Sequence, residues 1–320
     1  MENKVLKVTG KILMDFLNFG LIRINFSVFL MMLFIFAGCQ DEEFYQNDKL
    51  VFDNQWENFS FNNTSNIDGL PSFNKVGVLH NSLMSLYADN LDYFFDLENR
   101  IVKVTLEEFL EFNYEQSLVL LDRLGIDMCF SKEDYIFLSK EIISSQADNP
   151  PLLLSPKELL DQLKSDFPEI AYFIEDFQEK VFEPIIDKDP GQRTEILTLV
   201  ETKSQKIKKE VLDSRLNDSY KAAMLSFLDV FENSLEQILT EFYQYEHPFH
   251  ELYFGENVKS TNWGAIALVD AGGGLRGAAK GAFGGLGGAL LLGFGNAALS
   301  SLCAAGIDVL GDAMMDFIGW

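Results

Sequence analysis

The chain has 320 residues, 49 acidic against 25 basic side chains, a formal charge of −24, and 48% hydrophobic residues that include 29 Phe. That apolar content excludes a wholly disordered chain, and the length suits one or two domains. The acidic balance argues against nucleic acid as a partner, because phosphate backbones are held by Lys and Arg; three Cys cannot build a disulfide framework.

Residues 1–38 read as an address to be set aside before any fold is argued. Lys4, Lys7, Lys11 and Arg23 outnumber Glu2 and Asp15, and an apolar run at 24–36 leads into small residues and a cysteine. This is the layout of a secretory signal, and the run is shorter than the ~20 residues of a spanning helix. Met14 offers a second candidate start. Phe36-Ala37-Gly38-Cys39 resembles a bacterial lipobox, with Phe where Leu is usual. The resemblance implies a diacylglycerol on the Cys39 thiol, cleavage before it and acylation of the freed amine. One acyl chain binds marginally at ~0.8 kcal/mol per buried CH₂, whereas two or more anchor stably. Gln40-Asp41-Glu42-Glu43 is similar to the export signal of Bacteroidota-type surface lipoproteins. It implies an outer-membrane, lipid-anchored chain on the cell surface, with membrane lipid as partner through acylated Cys39.

Residues 39–72, rich in Asn, Asp, Ser and Phe without sustained periodicity, read as a tether that closes at the turn signal Asp68-Gly69-Leu70-Pro71. Residues 73–258 read as a helical domain. Val76, Leu79, Leu83, Leu86 and Tyr87 recur at helical spacing, and Ile101-Val102-Lys103-Val104 suits a short strand. Thr105, Ser131 and Ser155 each precede an acidic residue three positions on, the pattern of an N-cap or capping box, and Pro156 fits the first helical position. Residues 191–243 predict a helical hairpin broken and re-capped at Asn217-Asp218-Ser219. In its second helix Met224, Leu228, Phe231, Leu235, Ile238 and Phe242 make a heptad-like seam, open to a partner chain but more simply packed within the domain.

No catalytic residue, metal site or cofactor motif is assigned. His247 and His250 flank Pro248 and precede Glu251, but zinc takes three or four ligands and Pro disfavours a regular helix across the pair. His80 reads as a hydrogen-bonded core residue. Cys129 and Cys303 could bridge outside the cytoplasm but read more simply as small buried hydrophobes. The carboxylate pairs are what 49 acids produce by chance. The chain is not expected to be an enzyme.

Residues 259–320 form the compositional anomaly, a glycine-zipper region holding 15 of the 23 glycines. Small residues recur every fourth position at Gly273, Gly277, Gly281, Gly285, Ala289, Gly293, Ala297, Ser301 and Ala305. Positions four apart share a helix face, and a small-xxx-small row lets two helices approach closely, as it does in membranes. No charge falls between Lys280 and Asp308. One helix across that gap would run about 40 Å, longer than the bilayer core. A hairpin turning at Gly293-Phe294-Gly295-Asn296 is preferred, because it sets Asp308, Asp312 and Asp316 on one wet stripe. Each interior Gly costs a helix roughly 0.8–1 kcal/mol against Ala, so the segment needs packing partners.

Trp263-Gly264-Ala265 and the following zipper resemble the Gly-rich helical peptides of two-peptide bacteriocins and of contact-dependent glycine-zipper toxins, which implies association in a target membrane. The whole layout, with Val76-Gly77-Val78-Leu79-His80-Asn81 ahead of a helical region and a Gly-rich tail, is similar to uncharacterised Bacteroidota surface lipoproteins. The expected fold is all-α, a helical-bundle ectodomain followed by a Gly-rich helical hairpin. Two functions compete closely: a tail that enters or associates with membranes in antagonism between cells, or a non-catalytic lipoprotein whose tail packs on its own domain or drives self-association. An unrecognised enzyme around His247 and His250 stands well behind.

Overall fold

The computed structural model describes residues 75–126, 130–146, 151, 154–254, 263–282 and 285–319, apart from the side chains of Glu251, Leu286 and Asp308. Cys39, the tether and Cys129 lie outside them. The described residues all belong to one compact unit, Asn54–Trp320, and among them the fold is all-α save one two-stranded ribbon.

Local signals set most helix starts. Helix α1 spans Val76–Asp89 and a single turn, α2, spans Leu91–Phe94. Strands β1 (Phe95–Asp96) and β2 (Ile101–Val102) pair antiparallel, Phe95 opposite Val102. Helices α3 (Leu106–Arg123), α4 (Lys132–Ser144) and α5 (Pro156–Asp166) each begin with a complete capping box, from Thr105 to Glu108, Ser131 to Asp134 and Ser155 to Glu158. Each box satisfies two backbone N–H groups that a helix start otherwise leaves bare. Helix α6 (Ala171–Phe177) continues into a π-helical turn, Gln178–Phe182. Helices α7 (Arg193–Asp213) and α8 (Asp218–Gln237) form the expected hairpin, re-capped where Asn217 Oδ1 accepts from the Tyr220 N–H at 3.0 Å. A short α9 (His250–Phe254) precedes the Gly-rich region.

That region supplies helices α10 (Trp263–Gly281), α11 (Gly285–Leu310) and α12 (Asp312–Ile318). The expected turn at Gly293–Asn296 is absent: α11 runs straight through it, and the break between the two helices falls after Gly281 and before Gly285 instead. Gly285 opens α11 with φ +70°, a left-handed conformation in which a side chain is strained. Asn296 stays helical because its amide turns back to the Leu292 carbonyl at 2.9 Å. Asp312 and Asp316 do face water on α12.

The hairpin does not follow the bundle as a separate body; it is the middle of it. Helix α10 packs along α11 and α8, and α1 lies across α8 and α11. Every residue from 287 to 299 is buried, including the consecutive Leu290, Leu291 and Leu292 at 0% exposure, so this stretch of α11 has no outer face. Helix α8 is likewise buried at every residue from Ala222 to Phe231. The heptad-like seam therefore packs inside this chain and leaves no apolar stripe for a partner helix. Helices α3, α4, α5 and α7 cover these four inner helices and carry most of the charge.

Glycine explains how two backbones meet here. A Cβ on Gly277 would overlap the Leu292 carbonyl, one on Gly281 would overlap the Gly288 carbonyl, and one on Gly273 would lie 2.8 Å from the Asn296 carbonyl. Ala289 stands against Gly281. The stripe of small residues is thus two facing rows, one on each helix. Gly285 belongs to neither, being a turn residue, and Gly293 is only in ordinary contact, its Cβ position 3.4 Å from the Ala278 methyl. Other glycines of α11 seat the outer shell. Gly288 receives the Phe130 ring, and Gly295 makes room for Tyr135 while Asn113 donates to its carbonyl at 3.1 Å. Aromatic clusters close the ends, one of them Tyr87, Phe94 and Phe109 with Phe317 of α12 set edge-on to Phe109 at 5.9 Å.

Two substitutions on the same stripe should part company. Gly277→Ala should destabilise by about 3 kcal/mol, because backbone cannot yield to the added methyl. Gly293→Ala should be neutral or stabilising by up to about 1 kcal/mol, from helix propensity in a site that already fits it. Urea unfolding of the two variants checks this, and equal losses would mean the rows are not where the packing places them.

Candidate functional site

Polar side chains inside an apolar core are costly unless bonded, and this core gathers several at one point. Asp270, the lone acid of α10, is 0% exposed. Its Oδ2 accepts from Ser234 Oγ of α8 and from Ser301 Oγ of α11, the latter at 3.0 Å. Tyr253 of α9 lies 2.7 Å from Ser301 Oγ. Because the Ser301 proton goes to Asp270, the Tyr253 hydroxyl donates to Ser301. The chain of donors therefore runs from Tyr253 through Ser301 to Asp270, with Ser234 entering from the other side.

His80 of α1 completes the cluster at 1% exposure, with Nε2 3.8 Å from Asp270 Oδ2. Asn81 Nδ2 donates to the Asn233 carbonyl at 2.9 Å, which turns Asn81 Oδ1 toward His80 Nδ1, also at 2.9 Å. The Nδ1 therefore carries the proton, and the unprotonated Nε2 faces the carboxyl. Burial depresses the His80 imidazole from 6.5 to about 4 and raises the Asp270 carboxyl from 3.8 to about 8. Both groups are neutral near pH 7.

Serine, aspartate and histidine in contact suggest acyl transfer, but the order is wrong for it. The imidazole must touch the hydroxyl it deprotonates, and here the carboxyl stands between Ser234 and His80. The group is also sealed from solvent. What the arrangement does is tie α1, α8, α9, α10 and α11 together at one point.

A second buried group sits nearby. Lys208 of α7, 3% exposed, bonds Glu232 Oε2 at 2.6 Å and Asp229 Oδ1 at 3.1 Å. Asp229 Oδ2 accepts the Gly77 N–H at 2.8 Å, so a carboxylate from α8 caps the positive end of α1. A Cβ on Gly77 would overlap the Asp229 carbonyl. Desolvation raises the Glu232 carboxyl to about 7 in spite of the ammonium beside it, while the two carboxylates hold Lys208 above its ordinary value. The motif Val76–Asn81 thus accounts for itself residue by residue: Gly77 for the crossing, His80 for the cluster, Asn81 for the link to α8.

The other residues singled out in sequence stay apart from these groups. Phe249 N–H donates to His247 Nδ1 at 3.1 Å, and His250 Nδ1 lies 3.2 Å from the Phe242 carbonyl, so both rings are engaged by backbone. No group of three or more His, Cys, Asp or Glu is gathered for a metal among the described residues. Cys303 is a free, buried thiol raised to about 12 by burial. Sequence reasoning missed Asp270, Ser234 and Lys208 and read Ser301 only as a small residue; a lone acid amid the glycines and alanines of α10 was the available signal. No protein-family model, curated protein or solved structure matches the chain.

The direction of the pH effect follows from the raised carboxyl. Unfolded, Asp270 loses its proton above 3.8; folded, it keeps it to about 8. Folding therefore weakens as pH climbs through that window and levels off beyond it. Asp270→Asn should gain on wild type by about 1.4 kcal/mol per pH unit between about pH 5 and pH 8, with no further gain above. His80 works oppositely, losing stability as pH falls from 6.5 toward 4 in both proteins. Urea unfolding across that range tests this, and parallel profiles would refute a protonated Asp270.

Proposed function

We propose that this protein is a lipid-anchored, non-catalytic interaction domain of the outer-membrane surface, whose Gly-rich hairpin is its own packing core. The observation that carries the reading is the burial of α11. Gly287–Ile307 is long and apolar enough to cross a membrane, yet 83% of its apolar window is covered by the rest of the chain. Lipid would replace contacts that α1, α8 and α10 already make, and at Gly277 and Gly281 those contacts are backbone against backbone. The lipobox-like Phe36–Cys39 and the acidic Asp41–Glu43 support acylation of Cys39 and display at the surface.

The competing reading, a tail that leaves the bundle to associate with or insert into a target membrane, draws on the length and hydropathy of the same helix. Dye-loaded liposomes separate the two. Neither the full chain nor a chain ending at Lys259 should release dye, and the shorter one should lose its cooperative thermal transition because it lacks α10 and α11. Release by the full chain alone, abolished by Gly281→Leu with Gly285→Leu, would establish membrane action and overturn the core reading.

A further inference from the structure

A cleft of about 860 Å³ opens where α4, α5, the start of α8 and the end of α10 converge. Its walls are mixed, Ile142, Phe167 and Ala279 standing among polar groups: Gln146 beyond α4, Gln162 and Asp166 of α5, Tyr220 of α8, and Arg276 and Lys280 of α10. Arg276 and Lys280 are four residues apart and so share one face of α10. Arg276 is the unusual member. Only 8% exposed, its guanidinium makes a single protein bond among the described residues, Nη2–H to Asp166 Oδ2 at 3.3 Å. A guanidinium carries five N–H donors in a planar fork that fits two oxygens side by side. A cation this buried, held by one long bond to a partner that is itself 43% exposed, is under-compensated.

Other groups in the cleft ask for the opposite partner. Gln162 Oε1 is buried with no hydrogen-bond donor. Asp166 turns one carboxylate oxygen to Arg276, and Glu141, 2.9 Å from Lys280, lines the same cleft from α4. Acceptors beside a guanidinium that makes a single bond match a molecule that brings an anion and donors together. Arg276 also borders a second, smaller cavity of about 30 Å³ lined by Val269, Leu299 and Cys303.

We propose that this cleft binds a small carboxylate whose neighbouring atoms carry hydroxyl or ammonium donors, the chemistry shared by sugar acids and by the C-terminal end of short peptides. The carboxylate takes the Arg276 fork, and the adjoining donors go to Asp166 and, once its side chain turns toward the cleft, to Gln162 Oε1. This deepens the interaction reading above and rests on it, yet the two fail separately: ligand binding needs the cleft and is silent on dye release.

Calorimetric titration of the full chain in mild detergent tests it, with four probes: glucuronate, alanylalanine, propionate and glucose. Glucuronate or alanylalanine should give saturable heat at or below about 10 mM, and which of them does so tells a sugar acid from a peptide end. Propionate, lacking donors, should bind about tenfold more weakly, and glucose, lacking the carboxylate, should give none. Arg276→Met should abolish the heat, and it should fold, because replacing a poorly paired buried cation by an apolar group is tolerated. Should that variant not fold, Gln162→Met carries the test, with about fivefold weaker binding and an unchanged melting temperature. No saturable heat from either donor-bearing carboxylate, equal heat from glucose, heat that survives Arg276→Met, or binding that Gln162→Met leaves unweakened overturns the proposal.

Discussion

Everything in this fold depends on α10 and α11 lying close enough for backbone to touch backbone. At Gly277 against Leu292 and Gly281 against Gly288 nothing larger than hydrogen fits between the helices. Close approach brings many weak dispersion contacts into range along the whole length of the pair. It also answers the helix-propensity penalty of glycine, which an isolated helix could not offset. Once these two helices are joined, they present a surface on which α1 and α8 can settle, and the amphipathic outer helices follow. The glycines of α11 that do not face α10 repeat the device outward, trading a side chain for a seat that Phe130 or Tyr135 fills.

Apolar packing alone would leave such smooth helices free to slide or rotate against one another. Asp270, Ser234, Ser301, Tyr253 and His80 remove that freedom, because any shift of register strands a buried polar group without its partner. Lys208 with Asp229 and Glu232 does the same between α7, α8 and the start of α1. Both groups are expensive to bury; the first is sealed from solvent and the second reaches it only at Glu232. Their place in the fold is therefore one of specifying a single arrangement, while the exposed carboxylates of the outer helices keep the surface wet and acidic.

The sequence was legible wherever its signals were local. Capping boxes at Thr105, Ser131 and Ser155 and the break at Asn217 each lie within four residues, and all four stand as read. The stripe of small residues was equally visible, but its meaning was not, because a row of glycines permits close approach without saying whether protein or lipid lies beyond. The turn was misplaced because Gly293-Phe294-Gly295-Asn296 has turn-like composition, while its amide and its glycines are used for packing inside a helix. The buried cluster was out of reach for another reason. His80, Ser234 and Asp270 are brought together only by the fold, and no spacing links residues that far apart. Arg276 escaped notice likewise, since its depth in the cleft depends on α4, α5 and α8 arriving from three other parts of the chain.

The bond from the Gly77 N–H to Asp229 spans 152 positions, and it has a bearing on timing. Helix α1 is among the first described elements to be synthesised, yet its start is capped by α8, its imidazole faces α10, and its side rests on α11. Contacts of such long range are slow to form, because a large loop must close before any of them is rewarded. A growing chain therefore holds α1 without its partners until nearly all later helices have been made. The hairpin that organises the domain is among the last described elements to be made, so the helices before it lack their central packing surface until then.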